Sequence, residues 1–454
     1  MNEKVTAVVL AAGMGTGMKS KTPKVLHKIC SKELVSYVID AAKSGGCEKV
    51  VTVIGHCGDA VRETLGERTL YAVQTEQKGT GHACMQAVPE MDGEYTVIFN
   101  GDTPLLRPET VRKAIDYHKD QQNAATVITA VLDDASGYGR IVRNDAGEVV
   151  AIVEHKDADA VQLQIKEINS GMYVFNTDDL KLALSKLTPD NAQGEYYLTD
   201  TLSIILGSGK KIGGYPVSDS DEILGINDRV QLNVAEKLMQ KRINENYMRA
   251  GVTIHSPETV IISPDCQIGE DTEIFADVVI EDGCKIGAGV LITSASRISG
   301  AEIGNGVSVQ SSVILKSKIG DNTTVGPFAY IRPDCVIGKK ARIGDFVELK
   351  NCNIGDGTKV SHLTYVGDAD VGSGCNFGCG TVTVNYDGKK KYRTVIGNNV
   401  FVGCNSNLVA PVTLNDGAYT AAGSTITDEV PENNLAIARA RQVNKSIWKD
   451  RRSE

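Results

Sequence analysis

An aliphatic residue recurs every six positions through most of the second half of the chain, and this spacing constrains the fold more than any other feature. The repeats run from Ile268 to Ile298, from Val313 to Leu349 and from Ile396 to Ile426. A six-residue spacing is incompatible with the period of an α-helix, and a long hexapeptide period is the signature of a parallel β-helix. Since three hexapeptides make one coil, residues about 18 apart should lie above one another at roughly 4.8 Å.

The first half of the chain has the pattern of an α/β domain. Apolar strands such as "KVVTVIG" and "YTVIFNGD" alternate with helical stretches such as "RPETVRKAIDYHKDQ", which is typical of a mostly parallel sheet. The segment that follows predicts a connecting helix. Its apolar face is expected to consist of Val230, Val234, Leu238 and Met239. We therefore expect an α/β domain over residues 1–227, a linker helix over 228–250 and a β-helix domain over 251–454.

Three glycines, Gly13, Gly15 and Gly17, follow the first apolar strand and precede a lysine-rich segment. This arrangement predicts a strand-to-helix corner, where free backbone N–H groups and the positive end of a helix favour phosphate oxygens. The spacing fits neither a P-loop nor a dinucleotide-binding fingerprint. The loop is therefore either a phosphate cradle, to which Lys24 adds a mobile cation, or a structural turn.

The composition argues against several classes of function. The chain has 454 residues and a net charge of −9, which argues against a general nucleic-acid binder. Its eleven cysteines form no CxxC pair and have no histidine at zinc-site spacing, so they predict reduced thiols. No apolar run approaches the length that crosses a membrane. We expect a soluble, cytoplasmic protein.

Two cations occupy equivalent positions one coil apart in the predicted β-helix. Arg332 follows Ile331, and Lys350 follows Leu349. Stacked like charges repel, and a bound anion such as a phosphate would reverse the sign of that interaction. The alternative is a pair of solvated surface cations whose side chains splay apart.

A histidine and an insertion lie just downstream of these cations. His362 is a candidate general base, and Glu348 is expected to lie close enough to orient its imidazole. A lone histidine is more often structural. The repeat then breaks between Phe377 and Ile396, and the excess residues, "VTVNYDGKKKYRT", predict a functional loop that reaches a neighbouring subunit.

Motifs along almost the whole chain match one known family. The first half contains "LAAGMGT", "TPK", "QKGTGHA", "NGD", "GYGRIV", "EINSGMY", "GEYYLTD" and "GIND", and the hexapeptides hold "RPDCVIG", "FVELKN", "SHLTYVGD", "NYDGKKKYRT" and "FVG". The chain closely resembles the bacterial bifunctional N-acetylglucosamine-1-phosphate uridylyltransferase/glucosamine-1-phosphate acetyltransferases. The resemblance implies a Rossmann-like nucleotidyltransferase domain, a left-handed β-helix and a homotrimer that acts on small molecules. The implied product is UDP-N-acetylglucosamine, a precursor of peptidoglycan and lipopolysaccharide.

The resemblance also implies the residues of the uridylyltransferase site. Asp102 and Asn227 would carry Mg²⁺, and Gly139, Glu154 and Asn169 would hold the sugar. The positions that match the family's UTP contacts are Leu10, Ala11, Ala12, Gly13, Gly15, Thr16, Lys24, Gln74, Gln77, Gly79 and Thr80. Asp102 suits its role independently, because it follows a strand end, where ligands of open α/β sheets collect.

In the hexapeptide half, the resemblance makes His362 the base that deprotonates the amine of glucosamine 1-phosphate. The positions that match the family's contacts to that substrate are Arg332, Lys350, Tyr365, Asn376 and Lys391. Those that match its acetyl-CoA contacts are Cys379, Asn385, Tyr386, Cys404, Ala422 and Arg439.

Gly17 departs from the family, which places arginine there to neutralise charge on the departing pyrophosphate. We expect UTP and Mg²⁺ to bind while uridylyl transfer is impaired, unless Lys19, Lys21 or Lys24 substitutes in part.

Two alternatives therefore stay open. The first is an acetyltransferase whose N-terminal half is a nucleotide-binding or regulatory module. The second is a non-catalytic assembly protein, or a regulated sugar-nucleotide pyrophosphorylase, that carries hexapeptides only for oligomerisation. His362 and the basic insertion disfavour the second, since oligomerisation needs neither.

Overall fold

The computed structural model describes residues 4–13, 15–55, 57–190 and 194–445, which form two compact units. The division between the units falls between Met239 and Gln240, inside the helix that was predicted to connect the two halves. The first unit carries the α/β pattern, and the second carries the hexapeptides.

The first unit is built on a mixed sheet with helices on both faces. Its strands are β1 (Val5–Leu10), β2 (Lys28–Ile29), β3 (Lys32–Glu33), β4 (Lys49–Ile54), β5 (Leu70–Val73), β6 (Tyr95–Asn100), β7 (Ala125–Val131), β8 (Arg140–Arg143), β9 (Val149–Val153), β10 (Glu167–Asn176) and β11 (Ile212–Pro216). Its helices are α1 (Leu34–Ser44), α2 (Gly58–Leu65), α3 (Thr80–Gln86), α4 (Pro108–Asp120), α5 (Thr177–Leu184) and α6 (Asp200–Gly207).

The strand order of this sheet is β11-β7-β10-β6-β1-β4-β5, and β8 and β9 form a hairpin beside β10. β2 and β3 form a separate hairpin outside this sheet. β1 pairs in parallel with β4 and β6, whereas β10 runs antiparallel to β6 and β7. The side chains of alternate residues of β1 point to opposite faces of the sheet. Val9 packs into a core with α1 and α4, and Val8 packs into a second core with α3, α5 and α6. The predicted α/β class is confirmed.

The glycine loop does not lead into an α-helix, so the predicted strand-to-helix corner is wrong. After Gly15, whose φ is +60°, the chain makes a single 3₁₀ turn over Thr16–Met18, and α1 begins only at Leu34. A second 3₁₀ turn over Lys24–Leu26 and the β2–β3 hairpin occupy the residues between. The loop therefore lacks the positive end of an α-helix behind its N–H groups.

Helix α7 spans Arg229–Arg249, within the segment predicted to be helical, but only part of its predicted apolar face is buried. Val230 and Val234 are exposed, and the buried apolar positions are Ala235, Met239 and Ile243. These three follow one another at intervals of four, the spacing of a single helical face. None of the helices in the described part of the chain is long and apolar enough to cross a membrane.

The second unit confirms the predicted parallel β-helix, because successive coils pair strand on strand in three stacks. The first stack consists of Thr253–Ile254, Glu273–Ile274, Leu291–Ile292, Ser308–Val309, Thr324–Val325, Arg342–Asp345, Lys359–His362, Asn376–Phe377, Phe401–Val402, Tyr419–Thr420 and Leu435–Ala436. The second consists of Ile261–Ile262, Val279–Glu281, Arg297–Ser299, Val313–Leu315, Tyr330–Ile331, Glu348–Ile354, Tyr365–Val371, Val382–Val384, Asn407–Val409 and Thr425–Ile426.

The third stack shares two long strands with the second, because Glu348–Ile354 and Tyr365–Val371 continue around a corner. Its other members are Gln267–Ile268, Lys285–Ile286, Glu302–Ile303, Lys318–Ile319, Val336–Ile337, Thr394–Ile396 and Val412–Leu414.

The coils are not all of one length, and this shifts one predicted core position. Ile331 pairs with Leu349, three hexapeptides later, as the repeat predicts. Ile298, however, pairs with Ile314, which closes a shorter coil. The fully buried residue is therefore Ile314, and the predicted Val313 is only partly buried.

His118 of α4 gives the first unit a pH-dependent stability. Its buried ring lies 2.9 Å from Thr126 Oγ1 and 3.1 Å from Asn176 Oδ1, and burial lowers the pKa of His118 to about 4. The folded state therefore favours neutral imidazole, whereas the unfolded chain takes up a proton near the ordinary value of 6.5. This stabilisation is complete above about pH 6.5 and is lost as the pH falls towards 4.

We predict that His118 accounts for a loss of about 3 kcal/mol in the free energy of unfolding between those two pH values. Denaturant titrations of the full chain at each pH should show a weaker pH dependence in His118→Gln than in the wild type. His255→Gln, which replaces an exposed histidine, should keep the wild-type dependence. Equal slopes in all three proteins would assign the acid sensitivity to other groups.

Candidate functional site

The first unit contains a cavity of about 730 Å³ at the carboxyl ends of β1, β5 and β6. Both predicted metal ligands, Asp102 and Asn227, line it. So do the predicted UTP contacts Leu10, Ala11, Ala12, Gly13, Lys24, Gln74, Gln77, Gly79 and Thr80. Gly15 and Thr16 are not among its lining residues.

Lys24 joins the two predicted metal ligands. Its Nζ forms an ion pair with Asp102 and donates a hydrogen bond to Asn227 Oδ1 at 3.1 Å. A carboxylate and an amide oxygen therefore converge on one cationic group. Such hard oxygen donors suit Mg²⁺, which usually takes one or two protein oxygens together with phosphates and water. The pair fits a divalent cation in the place that the lysine ammonium group occupies.

Two glutamines shape the other end of this cavity. Gln77 Nε2 donates to the carbonyl oxygen of Ala12 at 2.7 Å, and Gln74 Nε2 donates to that of Gly79 at 3.1 Å. The first bond ties the loop after β5 to the loop after β1. Within the described residues no hydrogen bond engages either Oε1, so both amide oxygens are available to a ligand.

A second cavity, of about 800 Å³, adjoins the first and shares Leu10 and Thr80 with it. The predicted sugar contacts Gly139, Glu154 and Asn169 line this cavity. Asn169 Nδ2 donates to the buried hydroxyl of Tyr173 at 3.1 Å, which fixes the amide at the cavity wall. Desolvation, with the nearby Asp157 and Asp200, raises the pKa of Glu154.

Gly17 packs against the segment that carries Asn227. A Cβ at position 17 would lie 2.5 Å from the carbonyl oxygen of Asn227, which is closer than real Cβ contacts. Arg229 Nε also donates to the carbonyl oxygen of Met18 at 3.2 Å and ties the turn to that segment. Any side chain at position 17 therefore requires the Asn227 segment to move.

In the second unit, His362 lies at the corner between the first and second stacks. Its Nδ1 donates to Asp345 Oδ1 at 2.6 Å. Since a carboxylate only accepts, Nδ1 carries the proton and Nε2 carries the lone pair that a base needs. The hydrogen bond from His362 also lowers the pKa of Asp345. The imidazole is 55% exposed, so a substrate can reach it.

Glu348 does not orient the imidazole, so that prediction is wrong. Its carboxylate pairs instead with Arg332 at 2.9 Å. The register explains the difference, because Asp345 pairs with His362 and Glu348 pairs with Tyr365. Sequence reasoning missed Asp345. The assumption of a coil slightly shorter than three hexapeptides would have placed Asp345 opposite His362.

The side chains of Arg332, Lys350 and Lys391 form a cluster of positive charge beside the second stack. Lys391 and then Arg332 lower the pKa of Lys350, because converging cations disfavour the charged form. A phosphate among them would reverse this repulsion. The structure thus brings together the two predicted stacked cations and the lysine of the insertion.

The insertion forms a short hairpin beside this cluster. Tyr386 pairs with Lys391 across it, and the Asp387 carboxylate accepts from two backbone N–H groups in its turn. Arg393 holds the base of the hairpin by an ion pair with Asp370. Lys391 is thereby fixed near the column, while Tyr386 remains exposed.

Tyr365 lies between the cations and Asn385. Its hydroxyl accepts from Asn385 Nδ2 at 3.4 Å. The ring lies along the strand over Gly367, where a Cβ would come within 2.2 Å of the hydroxyl oxygen. Asn376, in contrast, lies in the first stack, where it pairs with Lys359 and Phe401. Within one chain, Asn376 and Tyr365 therefore lie on different stacks.

Three of the predicted acetyl-CoA contacts share the corner of His362. In the three coils that follow, the strand register places Cys379, Cys404 and Ala422 at the position equivalent to His362. Cys379 is partly buried and Cys404 is exposed. Arg439 is exposed one coil further along.

The comparisons with known proteins cover both units. A family model described as "Nucleotidyl transferase" matches residues 6–221, and "Bacterial transferase hexapeptide (six repeats)" matches residues 316–351 and 393–428. The chain is 54% identical over 449 residues to the "Bifunctional protein GlmU" of Acetivibrio thermocellus, which covers 98% of this chain and 97% of that protein. The GlmU of Clostridium beijerinckii is 53% identical over 449 residues, covering 98% of each chain. The chain belongs to the bifunctional GlmU family.

A solved structure, a UDP-glucose pyrophosphorylase complexed with UDP-glucose, matches 53% of this chain and 99% of its own at 20% identity and a TM-score of 0.43. As a member of the GlmU family, the chain is a bifunctional enzyme. Uridylyl transfer belongs to its nucleotidyltransferase unit, and acetyl transfer belongs to its hexapeptide unit.

For the acetyltransferase half of this GlmU-family enzyme, we predict that Asp345→Asn slows turnover by less than the roughly 10²–10⁴-fold expected for removing a general base. The imidazole remains, but its tautomer and orientation are no longer fixed. The measurement is kcat for acetyl transfer, with uridylyl transfer of the same sample as the folding control.

Glu348→Gln is the matched control, because it neutralises a carboxylate in the same coil that contacts Arg332 and not His362. It should change KM for the sugar phosphate more than kcat. A larger loss of kcat in Glu348→Gln than in Asp345→Asn would contradict the assigned partner of the histidine.

Proposed function

We propose that this GlmU-family enzyme makes UDP-N-acetylglucosamine in two steps. The hexapeptide unit transfers the acetyl group of acetyl-CoA to glucosamine 1-phosphate. The first unit then transfers a uridylyl group from UTP to N-acetylglucosamine 1-phosphate. The main support is the His362–Asp345 pair, which provides a base in coils that carry or adjoin a cluster of three cations.

In the acetyl-transfer step, Arg332, Lys350 and Lys391 hold the sugar phosphate. The substrate amine is largely protonated at neutral pH, and His362 Nε2 takes up its proton. The freed nitrogen bonds to the thioester carbonyl carbon, the carbon–sulfur bond breaks, and coenzyme A leaves as a thiolate. The new amide nitrogen then loses its second proton to that thiolate, and His362 releases the first proton to solvent. Asp345 keeps the other imidazole nitrogen protonated throughout.

In the uridylyl-transfer step, the nucleotide lies in the cavity at the end of β1, with its base towards Gln74 and Gln77. A Mg²⁺ ion held by Asp102 and Asn227 would supply charge neutralisation at the phosphates. Lys24, now paired with those two groups, would turn to the phosphates. An oxygen of the sugar phosphate attacks the α-phosphorus and pyrophosphate leaves, so the protein contributes mainly alignment and positive charge.

We also propose a cytoplasmic homotrimer. The eleven cysteines are free thiols, which suits a reducing compartment. Asn376 lies in a different stack from Tyr365 and the cation cluster, so a second copy could bring the two sets of contacts together. The stacked and exposed rings of Phe328 and Phe346 lie beside the His362 corner and offer apolar surface to a neighbouring copy.

We predict that His362→Ala slows acetyl transfer roughly 10²–10⁴-fold, the usual contribution of a positioned general base. Acetyl-CoA affinity, measured by calorimetry, should stay nearly unchanged because the imidazole serves the amine. Uridylyl transfer should also be unaffected. Wild-type acetylation rates in this variant would make the histidine structural.

The absence of a side chain at Gly17 affects the expected rate of uridylyl transfer by the first unit. We propose that the missing side chain weakens uridylyl transfer more than it weakens UTP binding, because the charge on a departing pyrophosphate grows in the transition state. The alternative is a first unit that binds nucleotide only for regulation.

We predict that Gly17→Arg raises uridylyl turnover by roughly 10²-fold or more, with a smaller change in UTP affinity. Gly17→Ala is the matched control, because its Cβ meets the same Asn227 carbonyl without adding charge. Equal turnover in wild type and Gly17→Arg would mean that a nearby lysine already does this work. An equal loss in both variants would show that the contact with Asn227 governs activity.

A further inference from the structure

A buried carboxylate lies at the corner between the second and third stacks, outside every contact used above. Asn351, Asp368 and Asn385 occupy equivalent positions in three successive coils, because the flanking residues pair in register. Asp368 is 7% exposed and Asn385 is 9% exposed. Among the described residues, no lysine, arginine or histidine forms an ion pair with Asp368, although its charge acts on Lys350 and Arg393.

The two amides donate to this carboxylate from either side. Asn351 Nδ2 donates to Asp368 Oδ1 at 2.6 Å, and Asn385 Nδ2 donates to Asp368 Oδ2 at 2.5 Å. A carboxylate can only accept, so the NH₂ group of Asn385 must face Asp368. Its Oδ1 is then turned the other way, and no hydrogen bond within the described residues engages that oxygen.

The amide group of Asn385 lies close to the cation cluster, because its neighbour Tyr365 also interacts with Arg332. Asn385 begins the hairpin that carries Lys391, and its amide nitrogen also lies 3.4 Å from the Tyr365 hydroxyl. In glucosamine 1-phosphate the amine is on the carbon next to the one that bears the phosphate. A hydrogen-bond acceptor beside a phosphate cradle is therefore placed for that amine.

We propose that Asp368 is a positioning residue for acetyl transfer, which fixes the amide of Asn385 so that Oδ1 accepts a hydrogen bond from the amine of the sugar phosphate. The carboxylate selects a substrate with an N–H donor at this carbon and leaves phosphate binding to the cations. This inference rests on the proposed acetylation of glucosamine 1-phosphate.

The test compares two sugar phosphates in the full-length Asp368→Asn variant. Affinity for glucosamine 1-phosphate should fall roughly tenfold or more, because the amide loses its fixed orientation. Affinity for 2-deoxyglucose 1-phosphate, which has no group at that carbon, should not fall, because the loss of the Asp368 charge beside Lys350 does not weaken the cations that hold phosphate. KM for acetyl-CoA should change less than twofold. Asn351→Ala is the matched control, since it removes the other hydrogen bond to the same carboxylate and should leave both affinities nearly unchanged.

A second variant covers the case in which Asp368→Asn fails to fold. Asn385→Ser should show the same selective loss for the amino sugar, and uridylyl transfer reports whether each protein is intact. Equal losses for both sugar phosphates, a loss confined to acetyl-CoA, or no loss at all would overturn the inference. Failure of the wild type to acetylate glucosamine 1-phosphate would instead refute the proposed function.

Discussion

The hydrogen-bonded register between successive coils determines where the candidate functional residues on the strands of the second unit lie. Inward-facing aliphatic residues such as Ile331 and Leu349 hold that register, because a slip of one residue would turn them to solvent. Outward-facing side chains then become neighbours at intervals of one coil. His362 meets Asp345 in this way, and its partner in the next coil is Cys379. The candidate active site is thus a consequence of core packing as much as of its own residues.

Sequence reasoning could predict the β-helix and its columns, because a six-residue period is visible without knowledge of distant contacts. It could not predict how many residues each corner holds. One shortened coil moves the buried position from Val313 to Ile314, and another gives His362 a different carboxylate from the one expected. Corner lengths depend on local backbone conformations, which composition and periodicity do not specify.

In the first unit, the predicted nucleotide contacts at the strand ends line one cavity, since parallel strands bring their carboxyl ends to one edge. The contact between Gly17 and Asn227 was beyond prediction, because it joins two loops that are distant in the sequence. The same is true of Lys24, whose ammonium group lies where a divalent cation fits. Both depend on how loops fold back over the sheet, and no periodic signal reports that.

The hairpin at Asn385–Tyr392 enters the column without disturbing it, since the strands on either side still pair with the coils above and below. The packed strands and the exposed hairpin are therefore separable parts of the same coil. The length and sequence of such an arm can change during evolution at little cost to the fold, provided that an anchor such as Arg393–Asp370 remains. A stacked column that accepts an insertion at a corner is in this sense an adaptable scaffold, because a single turn can change while the strands on either side keep their pairing.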